Sequence, residues 1–166
     1  MLKMNLQHFA ETTMNARDAV SAKLASCYVT IGNERYLLMQ AKNVEVKYEK
    51  EKQEVSILGR TTKGNKSNGG KITGSCTIYH NTDLFTQMVS KYQDTGEDLY
   101  FDMVITNEDP SSAAGARSIT IHDCNINGTT IASFDAEGEF LEQSIDFTAE
   151  QFDIAKAFGT LQGMQS

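Results

Sequence analysis

Apolar and polar residues alternate with a period of two along most of the chain. The stretches ASCYVTIG and ERYLLMQ flank the turn pair Gly32-Asn33, which is typical of a β-hairpin. In the stretch NVEVKYEK, valine and tyrosine alternate with Glu45, Lys47 and Glu49. This alternation predicts a strand with one buried face and one face in water.

Further short apolar stretches predict additional strands. The residues EKEKQ predict a charged turn, and Asn127-Gly128 predicts a hairpin turn between two of the later strands. These stretches are EVSIL, ITGSCTIYH, LYFDMVIT, RSITIHDCNI, TIASFDA and SIDFTAEQF. About eight or nine strands with regularly spaced turns predict a closed or sandwiched antiparallel sheet.

One segment has the periodicity of an α-helix. Between Asp83 and Tyr92, apolar residues recur on one face, Asn81 or Thr82 can cap the start, and Gly96 ends the segment. The sequence therefore predicts a mainly β fold, an antiparallel barrel or sandwich that is flanked by one helix.

The patterning divides the chain into three parts. Residues 25–155 form the predicted β domain, and residues 156–166 form a C-terminal tail that we expect to fray. Residues 1–24 form an N-terminal arm or extension. For this arm a short helix from Thr13 and an extended conformation both remain open.

The stretch GRTTKGNKS has part of the pattern of a phosphate-binding loop. Gly59 and Gly64 have the separation found in G-x-x-x-x-G-K-[ST]. However, Asn65 displaces Lys66 from its required position, and the following ITGSCTIY predicts a strand where such a loop needs a helix. The sequence therefore argues against nucleotide binding, and we expect no cofactor.

Residues 59–71 carry four glycines and four cations and no acidic or aliphatic residue, so they predict a long exposed loop. The glycines and cations are Gly59, Arg60, Lys63, Gly64, Lys66, Gly69, Gly70 and Lys71. Candidate acidic partners follow later in the chain, at Asp135, Glu137, Glu139 and Glu142. A basic projection and an acidic segment suit head-to-tail contact between copies, although charge alone favours the simpler alternative of solvated surfaces.

The composition of the chain argues against several classes of function. The net charge of −7 argues against a general nucleic-acid-binding protein. The odd number of cysteines without CxxC spacing predicts buried apolar residues and no disulfide or zinc site, and the three are Cys27, Cys76 and Cys124. Nor do the histidines have metal-ligand spacing; they are His8, His80 and His122.

No apolar run has transmembrane length, and the start of the chain lacks the hydrophobic region of a secretory signal. From these two observations we expect a protein without a membrane anchor that is made in a cytoplasm.

Two other functions compete with self-association. A nucleic-acid-binding β domain would use the basic residues 59–71 with Tyr79 and Tyr92 as stacking groups. A hydrolase would use Asp102, or Glu137 and Glu139 as an acid and base, but no histidine lies near them in the sequence. Of the two we keep the nucleic-acid-binding domain as the alternative, and we expect no enzyme.

Two long stretches resemble a known family. The run EKEKQEVSILGRTTKGNKSNGGKITGSCTIYH is similar to the central segment of tail tube proteins from contractile phage tails, PBSX-type defective prophages and phage-tail-like bacteriocins. Within it, Thr73, Gly74 and Thr77 match the family's Thr-Gly-x-x-Thr strand. The run TIASFDAEGEFLEQSIDFTAEQFDI is similar to the C-terminal stretch of the same family. The resemblance covers roughly Asp18 to Ala155, and the first 13 or so residues look like an extension.

The resemblance implies a structural subunit of an inner tail tube. Six copies would form a ring with their sheets joined edge to edge, and rings would stack into a conduit through the host envelope. Residues 59–71 would reach the next ring, and Glu45, Lys47 and Glu49 are candidates to face the lumen. The implied partners are other copies, sheath, tape-measure, baseplate and tail-terminator proteins, with transient passage of DNA in an infectious phage. Such particles are assembled in the bacterial host cytoplasm.

Overall fold

A computed structural model describes residues 13–161 and residue 164. In this part of the chain it contains a 3-10 turn (Ala16–Asp18), one α-helix (α1, Leu84–Thr95) and eight strands. The strands are β1 Ala25–Ile31, β2 Glu34–Leu37, β3 Ala41–Val55, β4 Gly64–Tyr79, β5 Phe101–Glu108, β6 Ala116–Thr129, β7 Glu142–Ala149 and β8 Gln151–Lys156. The predicted mainly β fold with a single flanking helix is confirmed.

Every strand pair is antiparallel, in the order β2-β1-β5-β6-β7-β4-β3, and β8 also pairs with β6. Only Glu150 separates β7 from β8. These two strands follow β6 in one register, with Ile126 opposite Phe147 and Ile121 opposite Phe152. The stretch SIDFTAEQF therefore acts as one long strand that is interrupted at a single residue.

Strand β6 changes partners half-way along its length. Its first half lies between β5 and β8, whereas its second half pairs with β7. At the change, Asp123 has a φ of 53°, and its N–H donates to Asp102 Oδ1 at 3.1 Å. This kink folds the sheet into two facing halves, which make a sandwich that does not close into a barrel.

The core between the two halves is built around three aromatic rings. Phe101 lies 6.0 Å from Phe85 of α1 and 5.8 Å from Phe147 of β7, measured between ring centroids. All three side chains are fully buried. Gly74 of β4 lies opposite Phe147, and a Cβ at this glycine would overlap the Phe147 ring. The glycine of the Thr-Gly-x-x-Thr stretch is thus needed for close packing.

Helix α1 begins at Leu84, within one residue of the predicted start, but its N-cap position is Asp83 and not the predicted Asn81 or Thr82. The N–H of Leu84 donates to Thr82 Oγ1 at 3.4 Å. The helix ends at Gly96, which has the left-handed φ of 71° and donates its N–H to the Tyr92 carbonyl at 2.8 Å. Glycine suits this position because a side chain would be strained at that angle. The predicted stop at Gly96 is therefore confirmed.

Residues 49–71 differ most from expectation. The predicted turn EKEKQ and the separate strand EVSIL form the continuous end of β3, which runs to Val55. The predicted long loop 59–71 is also wrong, since its residues from Gly64 onwards form the start of β4 and pair with β3. The true loop is residues 56–63. Composition alone predicts a loop because it carries no information on strand pairing, and β3 supplies a pairing partner for most of these polar residues.

Two later predictions are also wrong. Asn127-Gly128 makes no hairpin, because β6 continues through both residues to Thr129 with a register shift against β7. The predicted strand TIASFDA has no regular structure, and residues 130–141 form a long connection.

Both terminal segments of the described chain are held by hydrogen bonds to the connection between β5 and β6, residues 109–115. Ser21 N–H donates to Asp109 Oδ2 at 2.9 Å, and Ser112 Oγ donates to the Asp18 carbonyl at 2.9 Å. Hydrogen bonds from Ser111 and Ser21 lower the pKa of Asp109.

Strand β8 extends to Lys156, and Gly159 N–H donates to the Ala114 carbonyl at 2.8 Å. The C-terminal tail, which the sequence predicts to fray, is therefore held at least to residue 159. Residues 1–12, which include His8, lie outside the described residues.

Replacing Gly74 with alanine should lower the free energy of unfolding by about 1–3 kcal/mol, because the new methyl group would overlap the buried Phe147 ring. Urea unfolding of the unassembled subunit measures the change. Gly128→Ala in β6, two strands away in the same sheet, is the matched control, since a Cβ there meets nothing within 4 Å, and it should change stability by less than about 0.5 kcal/mol. Equal effects of the two substitutions would show that the packing against Phe147 is misassigned.

Candidate functional site

The ends of β3 and β4 project from the domain as a two-stranded ribbon. We define the ribbon as residues 49–55 of β3, residues 64–71 of β4 and the tip loop 56–63 between them. Of these residues only Gly64 is not classed as exposed. The β4 half of the ribbon is about 25 Å long at the usual rise of a strand. An isolated two-stranded hairpin is at best marginally stable in water, so the ribbon is suited to being completed by a partner.

Two ion pairs cross the ribbon. Lys71 Nζ lies 3.3 Å from Glu49, and Lys63 Nζ lies 2.6 Å from Glu54. Exposed pairs of this kind contribute little to stability, but they neutralise two of the four predicted contact cations. The other two, Arg60 and Lys66, have no carboxylate within 4.0 Å among the described residues.

The ribbon glycines have different roles. Gly59 in the tip loop and Gly69 in β4 adopt positive φ angles of 78° and 104°, which favour glycine. Gly69 lies beside the point where the β3–β4 register shifts. Gly70 and Gly64 do not have positive φ, and Gly70 instead lies against the Tyr48 ring at the base of the ribbon.

The predicted acidic partners lie on a second surface, which we call the β6–β7 segment (residues 130–141). Both of its ends are anchored. At its start, Thr130 N–H donates to the Ser144 carbonyl at 3.0 Å, and the buried Gln143 amide nitrogen lies 3.2 Å from the Thr130 carbonyl. At its end, the His80 N–H donates to the Leu141 carbonyl at 2.9 Å.

The acidic residues of this region are not equivalent. Glu142 is already paired with Lys42 of β3. Asp135, Glu137 and Glu139 are exposed, and no cation lies within 4.0 Å of them in the described part of the chain. The Asp135 carboxylate accepts the N–H of Glu137 at 3.0 Å, which gives this stretch a local turn.

The ribbon tip and the β6–β7 segment lie at opposite ends of β4. Val55 is opposite Gly64 at the start of this strand, whereas Glu142 is opposite Tyr79 at its end. Fifteen residue steps of a strand span about 50 Å, so the two surfaces of one subunit cannot touch each other. Residues 59–71 and the acidic residues are therefore not brought together within one chain.

The candidate lumen residues lie on one face of β3. Glu45, Lys47 and Glu49 are all exposed, and Lys47 Nζ lies 3.2 Å from Glu45. Glu45 is in register with Ser75 of β4 and through it with Asp146 of β7. A shallow depression of about 250 Å³ lies over these polar side chains. The outer face of this half of the sheet is thus polar across three strands.

The cysteines are buried, as the sequence predicts. Burial raises the pKa of Cys27 to about 11 and those of Cys76 and Cys124 to about 12, so all three are neutral thiols at ordinary pH. Lys66 of the phosphate-loop pattern lies within β4, and this strand continues to Tyr79 where a phosphate-binding loop would be followed by a helix.

The alternative functions find little geometric support. Tyr79 is at the opposite end of β4 from the ribbon and packs edge-on against Phe140, with ring centroids 5.7 Å apart. Tyr92 is on α1. For the hydrolase, the candidate pair Glu137 and Glu139 is exposed on the β6–β7 segment, and the other candidate, Asp102, lies on β5.

One neighbour of Asp102 was missed in the sequence. His122 lies 3.5 Å from the Asp102 carboxylate and 3.1 Å from that of Asp153, across three adjacent strands. Only the pairing of β5 and β8 with β6 brings these residues together. No signal in the sequence itself could have indicated this contact.

The family model for "Phage tail tube protein" matches residues 12–155. The chain belongs to the phage tail tube protein family. It is 34% identical over 141 residues to the phage-like element PBSX protein XkdM of Bacillus subtilis (strain 168), an alignment that covers 85% of this chain and 93% of the relative.

Solved structures share the tail tube fold. The cap of the anti-feeding prophage matches with a TM-score of 0.62 and 14% identity, over 90% of this chain and 99% of that one. The SPP1 tail tube matches with a TM-score of 0.57 and 11% identity, over 86% of this chain and 81% of that one. At such low sequence identity, these structural similarities are evidence for a shared fold only.

No helix in the described residues combines the length and apolar character that crossing a bilayer requires.

Trypsin should cut the unassembled tail tube subunit first after Arg60 or Lys63, because both lie in the exposed tip loop that no core residue covers. Mass spectrometry of the first fragments identifies the site. The nicked protein should stay folded, since the ribbon lies outside the buried core. The double substitution Arg60→Gln and Lys63→Gln should slow this cut strongly. A first cut in a strand outside residues 49–71 would contradict the projecting ribbon.

Proposed function

We propose that six copies of this tail tube protein close into a ring and that rings stack into the inner tube of a contractile tail or tail-like particle. One observation carries the proposal. In the sheet half formed by β6, β7, β4 and β3, both outer strands have an unpaired edge among the described strands. Unpaired edges of this kind invite pairing with another chain.

The strand directions suit continuation from one copy to the next. Because β6–β7, β7–β4 and β4–β3 are all antiparallel, the free edge of β3 meets the β6 edge of a neighbour antiparallel as well. Each copy contributes four strands, and ring closure pairs every edge of the inner sheet. The pairing supplies the backbone partners that β3 lacks in the single subunit.

In this arrangement the polar outer face of the four strands lines the tube. Glu45, Lys47 and Glu49 then face the lumen together with Asp146, and Lys47 and Lys71 offset only part of the acidic charge. A net-acidic wall repels phosphate, so that DNA in an infectious phage slides through without binding. The role is mechanical, and the subunit performs no catalysis.

Contacts between rings use the ribbon of one copy and the β6–β7 segment of another. The cations that meet acidic residues of the next ring are Arg60 and Lys66, because Lys63 and Lys71 are already paired within the ribbon. The tube's further partners are sheath, tape-measure, baseplate and terminator proteins of the same particle, which is assembled in the bacterial cytoplasm.

Replacing Arg60 and Lys66 with serine should shorten tubes and slow their formation while leaving rings intact, because these two tip and strand cations, which have no carboxylate within 4.0 Å among the described residues, guide the next ring into place. Lys63→Ser with Lys71→Ser removes the same charge from the same ribbon, and it should have the smaller effect. Negative-stain microscopy of each variant at matched protein and salt concentrations measures ring and tube numbers.

Equal losses in the two double variants would contradict the assignment of Arg60 and Lys66. A wild-type protein that stays monomeric across concentration and salt would contradict the tube itself.

A further inference from the structure

The tip of the ribbon carries an apolar group that the fold of a single subunit does not use. Leu58 is completely exposed, and Val55 and Ile57 beside it are each 42% exposed. They form an apolar end to an otherwise polar and basic projection. Exposed aliphatic side chains at the end of a projecting ribbon are typical of a protein contact surface.

A second apolar group lies on the β6–β7 segment. Phe134 is 91% exposed, and Phe140 keeps most of its surface in water although it touches Tyr79. Ile131 and Leu141 are also exposed. No buried side chain of the core cluster belongs to this segment, so its apolar residues contribute nothing to the core of their own subunit.

The two surfaces are complementary in charge as well as in apolar character. The ribbon has six Lys and Arg residues against three Glu residues, whereas the β6–β7 segment with Glu142 has four acidic residues and no Lys or Arg. The surfaces lie at opposite ends of β4 and cannot meet within one chain. A second copy in the same orientation is therefore the occupant that matches both.

We propose that Ile57 and Leu58 of one copy dock on Phe134 and Phe140 of the next copy along the tube axis. This inference rests on the proposed function, because stacked rings bring the two ends of different copies together. The contact is heterologous and repeats without closing, which produces a linear polymer of rings. Burial of the aliphatic tip stabilises the contact, and the charges around it set orientation and encounter rate.

Crosslinking tests the docked pair directly. The double variant Leu58→Cys and Phe134→Cys, treated with a short bismaleimide under tube-forming conditions, should give a ladder of covalently linked copies on a denaturing gel. The native cysteines should not interfere, because all three are buried. Leu58→Cys with Ser90→Cys, an exposed helix position, is the matched control and should give no ladder.

Leu58→Ser and Phe134→Ser should each raise the protein concentration needed for tubes by roughly tenfold to a hundredfold, while ring formation is unchanged. Wild-type stacking should persist in about 1 M NaCl, where the screening length is about 3 Å, because apolar contacts are not screened by salt. Both substitutions are on exposed side chains, so circular dichroism should match the wild type.

The outcomes distinguish a failure of the proposed function from a failure of the docking inference. If the wild type forms neither rings nor tubes, the proposed function fails. If the wild type forms tubes but the Leu58 and Phe134 cysteines do not crosslink, or Leu58→Ser and Phe134→Ser stack normally, the docking inference alone is overturned.

Discussion

Unmade backbone hydrogen bonds along the edges of an open sheet are the constraint on which this structure depends. Strand β3 is fifteen residues long and pairs on one side only, with β4. The second half of β6, at the far side of the same four strands, pairs only with β7. Natural proteins usually shorten or cover such edges, or protect them with charges, bulges or proline. Strand β3 is long and contains no proline, but it carries four lysines and two register shifts against β4. In the proposed ring, this edge pairs with the next copy.

The kink at Asp123 lets one subunit close its own core and still present a free sheet edge to the proposed ring. By changing partners at this residue, β6 leaves β5 and β8 on one side of the core and carries β7, β4 and β3 to the other. The core is then closed internally by Phe85, Phe101 and Phe147. The outer face of the four-stranded half is free to be polar, because it supports none of this packing.

Local patterning predicted most of the fold but little of the contact surfaces. The hairpin turn at Gly32-Asn33 and the stop at Gly96 depend on backbone angles that glycine favours, so their residues identify them. The ribbon has the composition of a loop because neither of its faces is buried. Its polar residues form strands because they pair across the ribbon. The segment TIASFDA has strand-forming residues, yet no neighbouring strand pairs with it. Lys63 has a carboxylate partner and Lys66 has none, and this difference depends on the strand register, which cannot be read from composition.

Hydrogen–deuterium exchange of the backbone amides of β3 and of residues 125–129, before and after assembly, tests the central claim most directly. In the free subunit, the β3 amides that point away from β4 should exchange quickly, in alternation with protected ones. In assembled tubes those same amides, together with the outer amides of residues 125–129, should become protected. Tubes in which both sets still exchange as quickly as in the free subunit would contradict an assembly built by joining sheet edges.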